Sequence, residues 1–111
     1  MLKAALLIAA LTGDLGRWSD YADAVKQWER GKPMVVVLSA EWCGPCRTLK
    51  AEIERIPGRH VAVKLDIERD EMAKRFPRVE SLPTTYVFRR GRATERIIGA
   101  NIERVKELLR E

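Results

Sequence analysis

A valine-rich apolar run from Met34 to Leu38, a helical pattern beginning near Cys43, and a second strand-like run from Val61 to Ile67 follow one another in that order. This strand–helix–strand succession constrains the fold more than any other feature. Two strands joined through a helix lie parallel in one sheet, and the helix crosses one face of it with a fixed hand. The first run has no polar interruption, the pattern of a strand covered on both faces. In the second, Val61, Val63, Leu65 and Ile67 alternate with Ala62, Lys64 and Asp66, which is the period of a strand. Between them Leu49, Ile53 and Ile56 keep helical spacing, with Lys50, Glu52, Glu54 and Arg55 outside, until Pro57-Gly58 ends the element.

Elements on either side complete the pattern. Upstream, Ser19 is placed to cap a helix whose first turn carries Asp20 and Asp23; Tyr21, Ala24, Val25 and Trp28 recur on its apolar side, and Gly31 with Pro33 stops it. Downstream, Glu68 to Phe76 reads as a short helix closed by Pro77. Thr84 to Arg89 and Ala93 to Ile98 read as two strands joined by a turn at Gly91. Gly99 breaks the second of these, and Asn101 caps a last helix with Ile102, Val105, Leu108 and Leu109 as its buried stripe. A strand–helix–strand unit followed by a terminal hairpin implies an α/β protein with a mixed sheet and helices on both faces.

The chain has 111 residues, enough for one domain with its own core. Apolar residues at 46% and charged residues at 33% exclude disordered and low-complexity classes. The formal charge of +5 favours acidic partners only weakly. Residues 1–13 form a separate apolar segment in which Lys3 precedes an uninterrupted run from Ala4 to Leu11. That run is too short to span a bilayer. It reads as a signal or anchor, or as a buried N-terminal strand. A cytoplasmic location is favoured, with an exported or periplasmic one as the alternative because of residues 1–12.

Only two cysteines occur, Cys43 and Cys46. One such pair is no scaffold for a secreted fold, so it points to chemistry or to a metal. Zinc needs three or four protein ligands, and beyond these two only His60, expected at the surface beside Arg59, offers a further nitrogen. A permanent structural disulfide closing so small a loop restrains the unfolded chain little. Redox chemistry fits better. A thiol at a strand–helix junction meets unpaired backbone N–H groups and the positive end of the helix dipole, which favour its thiolate. Cys43 is accordingly the expected nucleophile. Cys46 falls on the same face within one turn and is the expected resolving thiol. Pro45 is tolerated in a first turn, and Gly44 leaves the backbone open to an approaching substrate. The cycle needs no metal or organic cofactor beyond a redox-active Cys43–Cys46 disulfide.

Ala40-Glu41-Trp42-Cys43-Gly44-Pro45-Cys46 resembles the active-site segment of the thioredoxin family, and the resemblance extends from about Trp18 to the C-terminus as a 17–111 domain. Lys64-Leu65-Asp66 resembles the family's following strand and Leu82-Pro83-Thr84 its cis-proline loop; Gly91 and Gly99 fall where the family places glycines. The helix opening at Trp18-Ser19-Asp20-Tyr21 and leading into Gly31-Lys32-Pro33 resembles exported members that lack the family's first strand. The resemblance implies a thioredoxin-like fold with a central mixed sheet of about four strands. It implies an exposed Trp42 beside the nucleophile and a cis Pro83 against the cysteines. Substrate contacts would come from Trp42, Leu82, Pro83 and Gly99, with an extended substrate segment pairing beside Leu82. Lys64 is implied as a supporting cation.

Three departures from the family pattern stand out. Val37 occupies the place, six residues before Cys43, where the family usually has a buried Asp that takes the proton of the second cysteine. Deprotonation of Cys46 is then expected to fall to water or to Lys64. Ala51 replaces the helix-kinking proline, so a straighter helix is expected, and the stretch from Phe76 to Pro83 is one residue longer than usual, which shifts substrate contacts. The resulting expectation is a protein-disulfide reductase, monomeric, that acts on disulfide-containing proteins and draws electrons from a reductase or another donor. An exported oxidase or isomerase, or a redox-inactive binding module, is the alternative. Arg89, Arg90, Arg92 and Arg96 read as a solvated hairpin edge, not a nucleic-acid surface, and no transmembrane span is expected.

Overall fold

A computed structural model describes residues 18–110. The first helix, α1 (Tyr21–Glu29), is followed by β1 (Met34–Ser39), α2 (Gly44–Glu54), β2 (Val61–Asp66), a 3₁₀ turn (Glu71–Arg75), β3 (Thr84–Phe88), β4 (Glu95–Ile98) and α3 (Ile102–Arg110). The strands form one sheet in the order β2-β1-β3-β4. β1 runs parallel to β2, with Val37 opposite Lys64 and Ser39 opposite Asp66. β3 is antiparallel to both β1 and β4, as the hairpin requires.

Alternation along β1 divides the core into two layers. Val35 and Val37 pack with Leu49 and Ile53 of α2 and Val105 and Leu108 of α3. Val36 and Leu38 face the other way, toward Ala24 of α1 and Ala73 of the 3₁₀ turn, with Tyr21, Trp28 and Phe76 packed around them. Both faces of β1 are therefore covered, and all six of its residues are buried, the reason for its unbroken apolar run. The expected α/β fold with a mixed four-stranded sheet and helices on both faces is the one observed.

Several local expectations are corrected. The N-cap of α1 is Asp20, whose Oδ1 accepts the Asp23 N–H at 2.8 Å. Ser19 instead donates its N–H to the Ala62 carbonyl at 2.8 Å, beside a single parallel bridge between Trp18 and Ala62. The helix expected over 68–76 is only the 3₁₀ turn. Asp66 Oδ1 accepts the N–H groups of Glu68 and Arg69, and Asp70 Oδ2 accepts that of Asp66, so side chains hold the backbone that a helix would have used. Pro77 then leaves no length for recovery. β4 starts at Glu95 rather than Ala93. His60 is 8% exposed, not a surface residue, because the chain turns inward there to enter β2.

Two hairpin arginines also serve the fold. Arg89 Nη1 donates to the Leu108 carbonyl at 2.8 Å, and Arg90 donates to the Glu29 carbonyl while lying 5.8 Å from the centre of the Trp28 ring. Each satisfies carbonyl groups at a helix C-terminus, where a cation is favoured. Asn101 Oδ1 accepts the Arg104 N–H, as expected of a cap for α3. The segment 1–13, with its signal, anchor or strand expectations, lies outside the described residues. No helix among the described residues is long and apolar enough to cross a membrane.

Candidate active site

The strand β1 ends at Ser39, and the chain turns through Ala40 to Trp42 before α2 begins. Cys43 is the N-cap of α2, with Gly44 and Pro45 in the first turn. That placement satisfies an otherwise orphaned donor: the Cys46 N–H donates to Cys43 Sγ at 3.2 Å. Proline costs nothing at this point because its missing N–H has no helical acceptor. Cys43 and Cys46 are joined as a disulfide with their Cα atoms 5.3 Å apart. Cys43 is 5% exposed and Cys46 1%, so the first cysteine is the less deeply buried.

Two different surfaces meet at this disulfide. On the Cys43 side, Trp42, Cys43, Gly44 and Pro45 line a groove of about 420 Å³, completed by Leu82, Val79 and Ile67. Trp42 is 64% exposed, and its Nε1 donates to Glu68 Oε1 at 3.1 Å, which fixes the indole across the groove's edge. The Leu82–Pro83 peptide is cis and Pro83 is fully buried. Gly99 does not line the groove. Its φ is +86°, and its N–H donates to the Pro83 carbonyl at 2.8 Å, so it braces the proline loop from β4.

On the Cys46 side lies a cavity of about 380 Å³ whose walls carry Ser39, Cys46, Lys50, Lys64 and Asp66. Lys64, expected from the sequence as a supporting cation, stands here and not in the groove. Lys50, which the helical pattern puts on the outer face, is half-buried in this wall. Burial, then a hydrogen bond and repulsion from Lys64, hold the Lys50 ammonium below the usual lysine range. Its position was legible in the four-residue spacing from Cys46, which puts both on one face of α2, but nothing local shows that β2 and the 66–70 turn close over that face. Val37 contributes no charge, being wholly buried within the apolar layer beneath α2.

No group of three or more His, Cys, Asp or Glu stands close enough to hold a metal among the described residues. The arrangement fits dithiol chemistry: one sulfur at the helix end facing a groove, and a second behind it against a polar cavity.

The thioredoxin family model matches residues 17–111. Among curated proteins, thioredoxin H2 of Arabidopsis thaliana is 37% identical over 95 residues, covering 82% of this chain and 69% of that protein. Thioredoxin H2-1 of Oryza sativa subsp. japonica is 33% identical over 96 residues, covering 84% of this chain and 68% of that protein. Among solved structures, the thioredoxin of Fasciola hepatica superposes with a TM-score of 0.65 at 30% identity, covering 85% of this chain and 96% of that one.

Proposed function

This chain belongs to the thioredoxin family, and on that premise we propose how its two cysteines divide the work. It is a thiol-disulfide oxidoreductase, a protein-disulfide reductase acting through a Cys-x-x-Cys dithiol. The Cys43 thiolate attacks one sulfur of a substrate disulfide; that bond breaks, a mixed disulfide forms, and one substrate thiolate departs and takes up a proton. Cys46 then loses its proton and attacks the Cys43 sulfur. The Cys43–Cys46 bond forms, the second substrate thiolate leaves, and two electrons have passed to the substrate. The second attack is intramolecular and gains from a high effective concentration.

The observation that carries this assignment is the hydrogen bond from the Cys46 N–H to Cys43 Sγ at the head of α2. A backbone donor and the N-cap position at the helix N-terminus both favour negative charge on Cys43. Disulfide-bearing protein segments are received in extended form along the groove of Trp42, Gly44, Pro45 and Leu82, with Pro83 and Gly99 supporting its floor. The oxidised enzyme is returned to the dithiol by a reductase or another electron donor. It acts as a monomer and without nucleic acid.

Reduction of insulin with a dithiol donor tests the assignment. Cys43→Ser and Cys46→Ser are each expected to abolish turnover, and only Cys46→Ser is expected to accumulate a mixed disulfide with substrate. An adduct that accumulates on Cys46 in the Cys43→Ser protein would reverse the two roles.

A further inference from the structure

The groove beside Cys43 does not stop at Ile67 and Val79. A second hollow of about 370 Å³ is lined by the same two side chains together with Ala73, Phe76 and Pro77. The two hollows therefore join into one trough leading away from the disulfide, with Ile67 and Val79 as their shared wall. Ile67, Phe76 and Val79 pack on the core layer of Val36 and Leu38 but are only half-buried, so each leaves apolar surface to the trough. Charge along it is segregated. Among the described residues, Glu80 is the only charged side chain lining the half next to Cys43. A second carboxylate, Glu68, stands at the edge of that half, where it accepts from Trp42 Nε1. The far half is lined by Lys74 and Arg78 and by no carboxylate. Lys74 is paired with Glu71 at 3.2 Å. Arg78 and Glu80 are exposed on either side of Val79, and neither is in an ion pair among the described residues.

We propose that this trough is an extended substrate site, and that Glu80 near the disulfide and Arg78 away from it select the charge order of the segment it takes. The favoured segment has a basic side chain beside its reactive cysteine, an apolar one next, and an acidic one beyond. This rests on the role given above to the groove and names the class of segment that fits it. In an extended segment successive side chains alternate in direction, so the cysteine and the residue two places away enter the trough together. An apolar side chain at that second place meets Ile67 and Val79. The intervening side chains lie along the rim, two residues apart, which is the spacing of Arg78 and Glu80 in the chain. Exposed charge pairs add little affinity one by one. They do speed encounter with the matching order and repel the reverse order, so their effect is on selectivity. An occupant of this chemistry suits the trough because its near end is continuous with the surface at Cys43, where a substrate cysteine must arrive.

Two peptides of one composition test this, Glu-Val-Lys-Cys-Lys-Val-Glu and Lys-Val-Glu-Cys-Glu-Val-Lys, each oxidised to its symmetrical disulfide. Their palindromic order makes the result independent of the direction of binding. The reduced full chain, freed of donor and in excess, is mixed with each, and the released peptide thiol is followed by chromatography. Neighbouring charges alter the peptide thiol itself, so the readout is the ratio of the two rates, compared between the wild-type chain and Arg78→Glu/Glu80→Lys. Changes in thiol reactivity or folded fraction act on both peptides and cancel. The ratio of the first peptide to the second is expected to fall about tenfold in the charge-swapped chain at low ionic strength, and about threefold in each single variant. Near 1 M salt, where the screening length is about 3 Å, the difference is expected to vanish. An unchanged ratio overturns the proposal, and so does a change that persists in full at high salt. Sedimentation equilibrium covers the other occupant: a wild-type dimer dispersed by the charge swap would assign the trough to a second copy of the chain and also overturn it. Cys43→Ser is the separate arm and is expected to leave both peptides oxidised. Reduction by that variant, or none by the wild-type chain, overturns the role given to Cys43 and its groove, whatever the ratio.

Discussion

Lys50 and Lys64 place two like charges side by side, and this has a consequence for stability. The folded protein binds the Lys50 proton less readily than the unfolded chain does, since burial and then Lys64 depress its pKa. Stability therefore rises with pH across the interval between the depressed pKa and the ordinary lysine value, and the cost of the buried charge is present in full below it. Lys50→Met lacks this cost. Urea unfolding of the two proteins over a pH series is expected to show the variant's relative advantage greatest near neutral pH and shrinking as the pH approaches the ordinary lysine range. An advantage that does not change with pH would mean that packing, not charge, separates them. At this scale the sequence is an incomplete guide. The spacing of Cys43 and Cys46 shows their shared face, but Lys50 looks like any solvent-facing lysine of an amphipathic helix until β2 is laid beneath it.

Among the elements, the ends of helices are decided by competition among neighbouring polar side chains. Ser19 and Asp20 are adjacent candidates for the cap of α1, and Asp20 takes the place because the Ser19 N–H is drawn to the Ala62 carbonyl at the sheet edge. Asp20→Ala is expected to cost about 1 kcal/mol of unfolding free energy, whereas Ser19→Ala leaves it almost unchanged. Chemical denaturation of both variants checks the order; equal losses would contradict it. The segment at 68–76 shows the same competition with the opposite outcome. Met72, Ala73 and Phe76 keep a helical spacing, yet Asp66 and Asp70 hold the backbone at its start and Pro77 bars it at its end, so only a 3₁₀ turn survives. In the sequence the arginine hairpin has the pattern of a solvated edge. In the folded protein Arg89 and Arg90 reach the C-terminal carbonyls of α3 and α1, contacts between residues far apart in the chain.

For the molecule as a whole, β1 is the element on which both core layers and the active site depend. Its neighbours β2 and β3 hold it on either side, and α2 lies over its face carrying the disulfide. Ile53, fully buried under α2, anchors that helix to the sheet. Ile53→Ala is expected to cost about 2–5 kcal/mol through lost burial and the cavity left behind, and to slow disulfide reduction only as far as unfolded protein accumulates. Denaturant unfolding alongside the insulin assay separates the two effects. The sequence by itself determined the order of strands and helices, the Cys-x-x-Cys pair at a helix head and the family, because periodicity and a strand–helix junction are local properties of the chain. Only the tertiary structure decided that Gly99 braces the proline loop instead of meeting the groove, that His60 is buried, and that Lys50 shares a cavity with Cys46. Each depends on which surfaces the sheet brings together, and short-range spacing carries no record of such long-range contacts.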